Sequence, residues 1–256
     1  MTDLIEFSIS DKVATITLNR PKKLNAMTPE MAARLIEIKD ECNASDDIRV
    51  VILTGAGPKA FCAGSDITEL DLYETPWQFR NRPDYCDAVR GLLKPSIAAI
   101  NGYTFGGGLE MALSCDIRLA SENALIGAPE IKLGWIGGGG MTAQLAHSIG
   151  SSNAATMVLT GDPISAQTAV DWGLVTEVLT QDKLKERAQV LASTIASRAP
   201  IAAETARANL KASFNMPLEK AIEYERDLQT ICFATEDAAE GRSAFAEKRT
   251  PVFKHR

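Results

Sequence analysis

The sequence predicts an α/β fold: a mixed, largely parallel sheet with helices outside it, followed by a purely helical C-terminal region. Three observations carry that prediction. Short apolar runs of strand length, Val50–Leu53 and Ile97–Ile100, each lead into a glycine-bearing turn. The order strand, glycine loop, helix, strand then recurs along the chain. From Asp182 to Lys248 strand signals vanish and apolar residues fall at helical spacing.

Taken in order, Ile5, Phe7 and Ile9 alternate with polar residues, as do Ala14, Ile16 and Leu18, with Ser10-Asp11-Lys12 between them. That is a β-hairpin with one buried face. Thr28-Pro29-Glu30 opens a helix, Thr28 as N-cap and Pro29 at the first position, with Met31, Leu35 and Ile38 as its apolar stripe. Val50–Leu53 is a buried strand closed by Gly55 and Gly57. Ile97–Ile100 is another, followed by an Asn101-Gly102 turn and a helix from Leu109 to Leu113; Ile117–Ala120 and Val175–Leu179 read as further strands. The helical region carries Leu184, Ala188, Leu191 and Ile195, then Leu218, Ile222, Leu228 and Ile231, with Ala199-Pro200 as a break. The chain thus divides into an α/β core at 1–195 and a helical region at 196–256. Between Ile67 and Arg90 no period holds, and Tyr73, Trp77, Phe79 and Tyr85 are mixed with charges and two prolines. That segment is either a surface loop with a short helix or a flap whose aromatics line a pocket.

Composition narrows the functional classes. A chain of 256 residues, 45% hydrophobic and 23% charged, is a folded globular protein of one large domain or a core with an appendage. A net charge of −6 repels phosphate backbones and anionic lipid, so neither nucleic acid nor a membrane is an expected partner. No apolar run approaches the ~20 residues of a membrane helix. The opening MTDLIEFSIS holds acids where an export or transit peptide carries basic residues, so the cytoplasm is the expected compartment. Cys42, Cys62, Cys86, Cys115 and Cys232 are scattered without a CxxC, and the histidines are His147 and His255. Neither a disulfide framework nor a metal site is expected from these, and no cofactor is implied.

Several standard chemistries are missing. There is no GxxxxGK[ST] loop, no GxGxxG after a strand and no HExxH, and Ala63-Gly64-Ser65-Asp66 lacks the flanking glycines of a nucleophile elbow. Chemistry must come from carboxylates, hydroxyls or backbone. Two turns stand out: Phe61 to Ile67, and Asn101 to Glu110, which holds Gly106, Gly107 and Gly108 just before a helix. Glycines there leave N–H groups uncovered at a positive helix end, and two such turns can present two donors to one oxygen. Close helix–sheet packing explains the same glycines. Glu110, three residues past Gly107, projects from the first helical turn, where an acid also complements the helix dipole. Glu130 precedes the cluster Gly137 to Gly140 and by itself reads as a solvated charge.

Together these motifs resemble the crotonase (enoyl-CoA hydratase/isomerase) superfamily. NGYTFGGGLEMALSCDIRLAS and the PEIKLG around Glu130 carry the likeness, with LNRPKKLNAM, LTGAGPKAFCAGSDI, LTGDPISAQTAVDWGLV and EGRSAFAEKR, in order from about residue 5 to residue 253. The resemblance implies a spiral of ββα units with trimerising C-terminal helices, and a homotrimer or a hexamer of two trimers. It implies an acyl-CoA thioester substrate, CoA being part of the substrate, with the N–H groups of Ser65 and Gly107 as the oxyanion hole and Glu110 and Glu130 as the two acids of a hydratase. Leu24, Ala26, Ala63, Asp66 and Ile67 would contact CoA, and Phe245 and Lys248 would reach the CoA of a neighbouring subunit. Read by periodicity alone, Phe245 is buried and Lys248 solvated.

The implied reaction is reversible hydration of a 2-enoyl-CoA to a 3-hydroxyacyl-CoA through a thioester enolate. A carnitinyl-CoA-like dehydratase or a hydratase-lyase uses the same groups. A non-catalytic or RNA-binding scaffold fits less well with both glutamates present and a charge of −6. One stretch departs from the hydratase pattern: Gly137 stands where proline is usual and Met141 where glycine is usual. Gly138 is the implied contact beside the water site. Trp135, at the edge of this glycine loop, either walls the acyl pocket opposite Tyr73, Trp77 and Phe79 or packs into the core or a trimer contact.

Overall fold

The computed structural model describes residues 3–68 and 73–256. Residues 69–72 of the aperiodic segment, and Met1 and Thr2 of the acidic N-terminus, lie outside the described residues.

Strands β1 (Ile5–Ser10) and β2 (Val13–Leu18) form the hairpin, Ile5 opposite Leu18. Asp11 and Lys12 take φ of 49° and 66°, the positive values a two-residue hairpin turn needs. The buried face is shorter than the alternation suggested: Ile9 is 46% exposed because β1 is the sheet's edge and its far end runs clear of the core. Helix α1 (Pro29–Ala44) starts as its sequence dictates, Thr28 Oγ1 accepting from the Met31 N–H at 3.3 Å.

The next strands alternate between two sheets. β3 (Val50–Gly55), β5 (Ser96–Ile100), β7 (Ile117–Ser121) and β10 (Glu177–Leu179) extend the hairpin in the order β1-β2-β3-β5-β7-β10, parallel from β2 onward. β4 (Ala60–Cys62), β6 (Tyr103–Phe105), β8 (Leu125–Gly127) and β9 (Ile164–Ser165) form the second sheet in that order. A long strand thus passes to a short one in the other sheet before the chain turns back through helices, which winds the core into a spiral.

Both faces of the larger sheet are covered, which is why β3 reads as an unbroken apolar run. Val51 and Leu53 face the main core with Leu35, Ile38 and Leu109. Val50 and Ile52 face helix α7 (Gln181–Ala196), which lays Leu184, Ala188, Ala192 and Ala196 on them.

Helices α8 (Pro200–Ser213), α9 (Leu218–Phe233) and α10 (Glu236–Glu247) follow. Arg207 of α8, almost wholly buried, donates to Asp116 at 2.6 Å and so fixes that helix to the core. The apolar periodicity of these helices points largely outward: Leu218 is 73% exposed, Phe233 65% and Phe245 87%. Phe245 is therefore not the buried side chain that periodicity alone suggests. Among the described residues, no helix is long and apolar enough to cross a membrane.

Two buried asparagines hold the turns that lead into the site. Asn25 donates to the carbonyls of Ala56 and Ala60, and Asn101 donates to those of Gly55, Gly57 and Ala60. Carbonyls that the bend after β3 would otherwise orphan are thereby satisfied, and the approach to Phe61–Ile67 is fixed.

Candidate active site

The two glycine turns meet. Helix α4 (Gly107–Ser114) begins two residues earlier than periodicity placed it, and its first turn abuts Gly64. Met27 N–H donates to Gly64 O, and Asp66 N–H donates to Met27 O, so the Ser65 N–H between them turns the other way. Among the described residues, neither the Ser65 N–H nor the Gly107 N–H meets a protein acceptor. Both residues line one cavity of about 830 Å³.

Glu110 and Glu130 line it too. Glu110 is 5% exposed, and its Oε1 accepts from the N–H groups of Gly139 and Met141 at 2.7 and 3.1 Å. Burial nonetheless raises its pKa, against the pull of those two N–H donors. Glu130 sits in a short 3-10 turn, Pro129–Leu133. Burial raises its pKa as well, and the charge of Glu110 pushes the same way. Its Oε2 is buried without a protein partner among the described residues.

The glycine loop is shaped by this carboxylate. A Cβ on Gly137 would stand 2.7 Å from Glu110 Oε1, and one on Gly139 would stand 2.7 Å from Oε2. A side chain at either place would displace the acid or its neighbours, and at Gly137 the nearest obstacle is the Cβ of Met141, at 2.5 Å.

The remaining sequence-derived residues divide. Ala63, Ile67, Trp135 and Gly138 line the cavity. Trp135 is 44% exposed, so it is not a core residue of this chain. Of the flap aromatics, Phe79 on helix α2 (Pro76–Arg80) reaches the cavity; Tyr73 and Trp77 line an adjoining hollow, Tyr73 edge-on to Phe79 at 5.6 Å. Leu24, Ala26 and Asp66 are not among the residues that line the cavity. Leu24 O accepts from the Ala63 N–H at 3.0 Å. Arg20 donates to Ala26 O and pairs with Asp66 at 3.0 Å. Hydrogen bonds from Thr68 and then Arg20 hold the Asp66 carboxyl below the usual range. Phe245 lies elsewhere, lining a hollow of about 430 Å³ among the C-terminal helices, and Lys248 caps α10 with φ of 56°.

Tyr85 and Cys86, both on helix α3 (Tyr85–Arg90), complete the site although no motif marked them. The Tyr85 hydroxyl lies 2.8 Å from Ser65 Oγ, and the Cys86 thiol lies 3.8 Å from Glu110 Oε2. The aromatic content of the flap was the available signal for Tyr85; nothing local distinguished Cys86 from a core cysteine.

Comparison with known proteins gives this arrangement its context. The sequence profile described as "Enoyl-CoA hydratase/isomerase" matches residues 8–256. The chain belongs to the enoyl-CoA hydratase/isomerase family. It is 39% identical to the (E)-benzylidenesuccinyl-CoA hydratase of Thauera aromatica, over 98% of each chain. It is 40% identical to the 2,3-dehydroadipyl-CoA hydratase of Escherichia coli strain K12, over 100% of each. Its fold superposes on the crystal structure of an enoyl-CoA hydratase from Bacillus anthracis with a TM-score of 0.94, at 37% identity, covering 99% of this chain and 100% of that one. Within the hydratase/isomerase family, the chain is an enzyme of the hydratase type.

Proposed function

We propose that the protein adds water reversibly to a 2-enoyl-CoA, giving a 3-hydroxyacyl-CoA. One observation carries the reading: the buried Glu110, the half-buried Glu130 and two N–H groups without a protein acceptor among the described residues belong to residues that line the same cavity. In this reading the thioester oxygen accepts from the N–H groups of Ser65 and Gly107, which hold the negative charge that reaches it as C3 is attacked. Glu110, whose carboxylate is stabilised by two N–H donors, takes a proton from water as its oxygen bonds to C3. Glu130, with a raised pKa and no donor on Oε2 among the described residues, delivers a proton to C2 as the enolate collapses. The sum is one water added; proton exchange with solvent resets the two acids.

CoA would lie along Ala63 and Ile67 and contact Leu24, Ala26 and Asp66. The exposed apolar side chains of α9 and α10 favour self-assembly as a homotrimer or a hexamer of two trimers, the 196–256 region supplying the contact and bringing Phe245 and Lys248 to a neighbour's CoA. The five cysteines are free thiols, four of them buried, which suits a reducing compartment such as the cytoplasm.

The test is a hydration assay over straight-chain, branched, aromatic and carboxylated 2-enoyl-CoAs. Turnover of at least one to its 3-hydroxyacyl-CoA is expected, and none hydrated refutes the reading. Retro-aldol cleavage after hydration, or use only of a functionalised 3-hydroxyacyl-CoA, would assign the hydratase-lyase or dehydratase alternative.

A further inference from the structure

The hydroxyl pair between the two oxyanion turns has more capacity than packing requires. Tyr85 is 8% exposed, yet it lines the cavity with Ser65, Gly107 and Glu110. Its oxygen lies 2.8 Å from Ser65 Oγ and passes directly over the backbone of Gly107, since a Cβ built there would stand 1.9 Å from it. The phenol therefore sits against both cavity-lining residues whose N–H groups lack a protein acceptor among the described residues. A pair of hydroxyls carries two protons, and one suffices for the bond between them. Among the described residues, neither oxygen has another side-chain or backbone partner. One O–H is left over beside the place where the thioester oxygen would bind.

We propose that Tyr85 is a third donor to the thioester oxygen, Ser65 Oγ–H donating to the phenol while the phenol proton turns to the enolate oxygen as charge develops. This rests on the hydratase reading for the identity of the bound thioester. The phenol is the more acidic hydroxyl and gives its proton to the more negative acceptor, so the bond strengthens from substrate to transition state. Burial keeps Tyr85 protonated, because it pushes the phenol well above its ordinary value. Glycine at position 107 is needed for this approach; any side chain would occupy the phenol oxygen's place.

The test compares wild type with Tyr85→Phe by two independent readouts. The first is steady-state hydration. Losing a hydrogen bond to a charged group predicts kcat lower by about 10- to 100-fold with KM little changed. The second is the absorption band of a bound 3-phenyl-2-enoyl-CoA, which moves to longer wavelength as its thioester carbonyl is polarised. Tyr85→Phe should reduce that displacement, and Ser65→Ala, which keeps the backbone N–H, should reduce it less. An unchanged band in Tyr85→Phe overturns the proposal whatever happens to kcat, because the hydroxyl is then not on the thioester oxygen. Since the band needs binding and not turnover, an enzyme that hydrates nothing but shows the displacement loses the hydratase reading and keeps the third donor. Should Tyr85→Phe fail to fold, Ser65→Ala decides by the same band: no change there removes the hydroxyl chain.

Discussion

Glu110→Gln separates catalysis from stability at this site. The substitution keeps volume and shape, and the amide carbonyl still accepts from the Gly139 and Met141 N–H groups that Glu110 Oε1 holds at 2.7 and 3.1 Å. The glycine loop therefore stays anchored, and only basicity is lost. Proton transfer by a positioned group contributes ~10²–10⁴-fold, about 3–5 kcal/mol of barrier. Stability moves differently. Burial raises the pKa of Glu110, so the folded state holds this proton more tightly than the unfolded chain does. That contribution is present below the unfolded carboxylate pKa and is lost as pH rises through the folded value. At neutral pH the buried charge weakens the fold, and glutamine removes it. We expect kcat to fall by about 10²–10⁴-fold while Tm at neutral pH is unchanged or higher, the gap in Tm closing on acidification. Enoyl absorbance gives kcat, and calorimetry at several pH values gives Tm. Near wild-type turnover refutes the base assignment; a lower Tm at neutral pH refutes the claim that the charge is a strained one.

Further expectations follow from the same geometry. Gly139→Ala places a Cβ 2.7 Å from Glu110 Oε2 and 2.8 Å from Cys86 Cβ, and should lower kcat by about 10²-fold by moving the acid; an unaltered rate would mean the carboxylate's exact seat is immaterial. Trp135→Ala should shift relative kcat/KM towards bulkier acyl groups by ~1–3 kcal/mol, and an unchanged ranking across short, branched and aromatic enoyl-CoAs would put the indole outside the acyl pocket. Because burial raises both glutamates, the acid limb of kcat/KM against pH should lie above the ordinary carboxylate range, and a limb within that range contradicts it. Phe233→Glu with Phe245→Glu should lower the sedimenting mass to that of one chain; an oligomer of wild-type size would place the interface elsewhere.

Much of this architecture is legible in the chain because its signals are local. Thr28-Pro29 marks the start of α1, and the unbroken run Val50–Leu53 follows from a strand covered on both faces. The glycine turns could be found, but their convergence could not, since Gly64 and Gly107 meet only through the pairing of β4 with β6. Arg20, which ties Ala26 to Asp66, works across 46 positions and carries no periodic mark. Tyr85 lay in an aperiodic stretch where aromatic content was the sole cue. The outward turn of Phe233 and Phe245 was hidden for another reason: periodicity reports that a helix has an apolar face, not whether the same chain covers it.

The crowding around Gly107 and Gly139 bears on how such an enzyme changes over generations. Every missense codon reachable from glycine adds a Cβ, and at these positions the space is already held by the Tyr85 hydroxyl or the Glu110 carboxylate. A substitution there meets that crowding at the first step. Beyond Glu130 in the same loop, Leu133, Trp135 and Ile136 are 54%, 44% and 74% exposed, so single substitutions can resize that part of the cavity wall. Change in the cavity's shape is thus easiest at this rim and hardest at the crowded glycines.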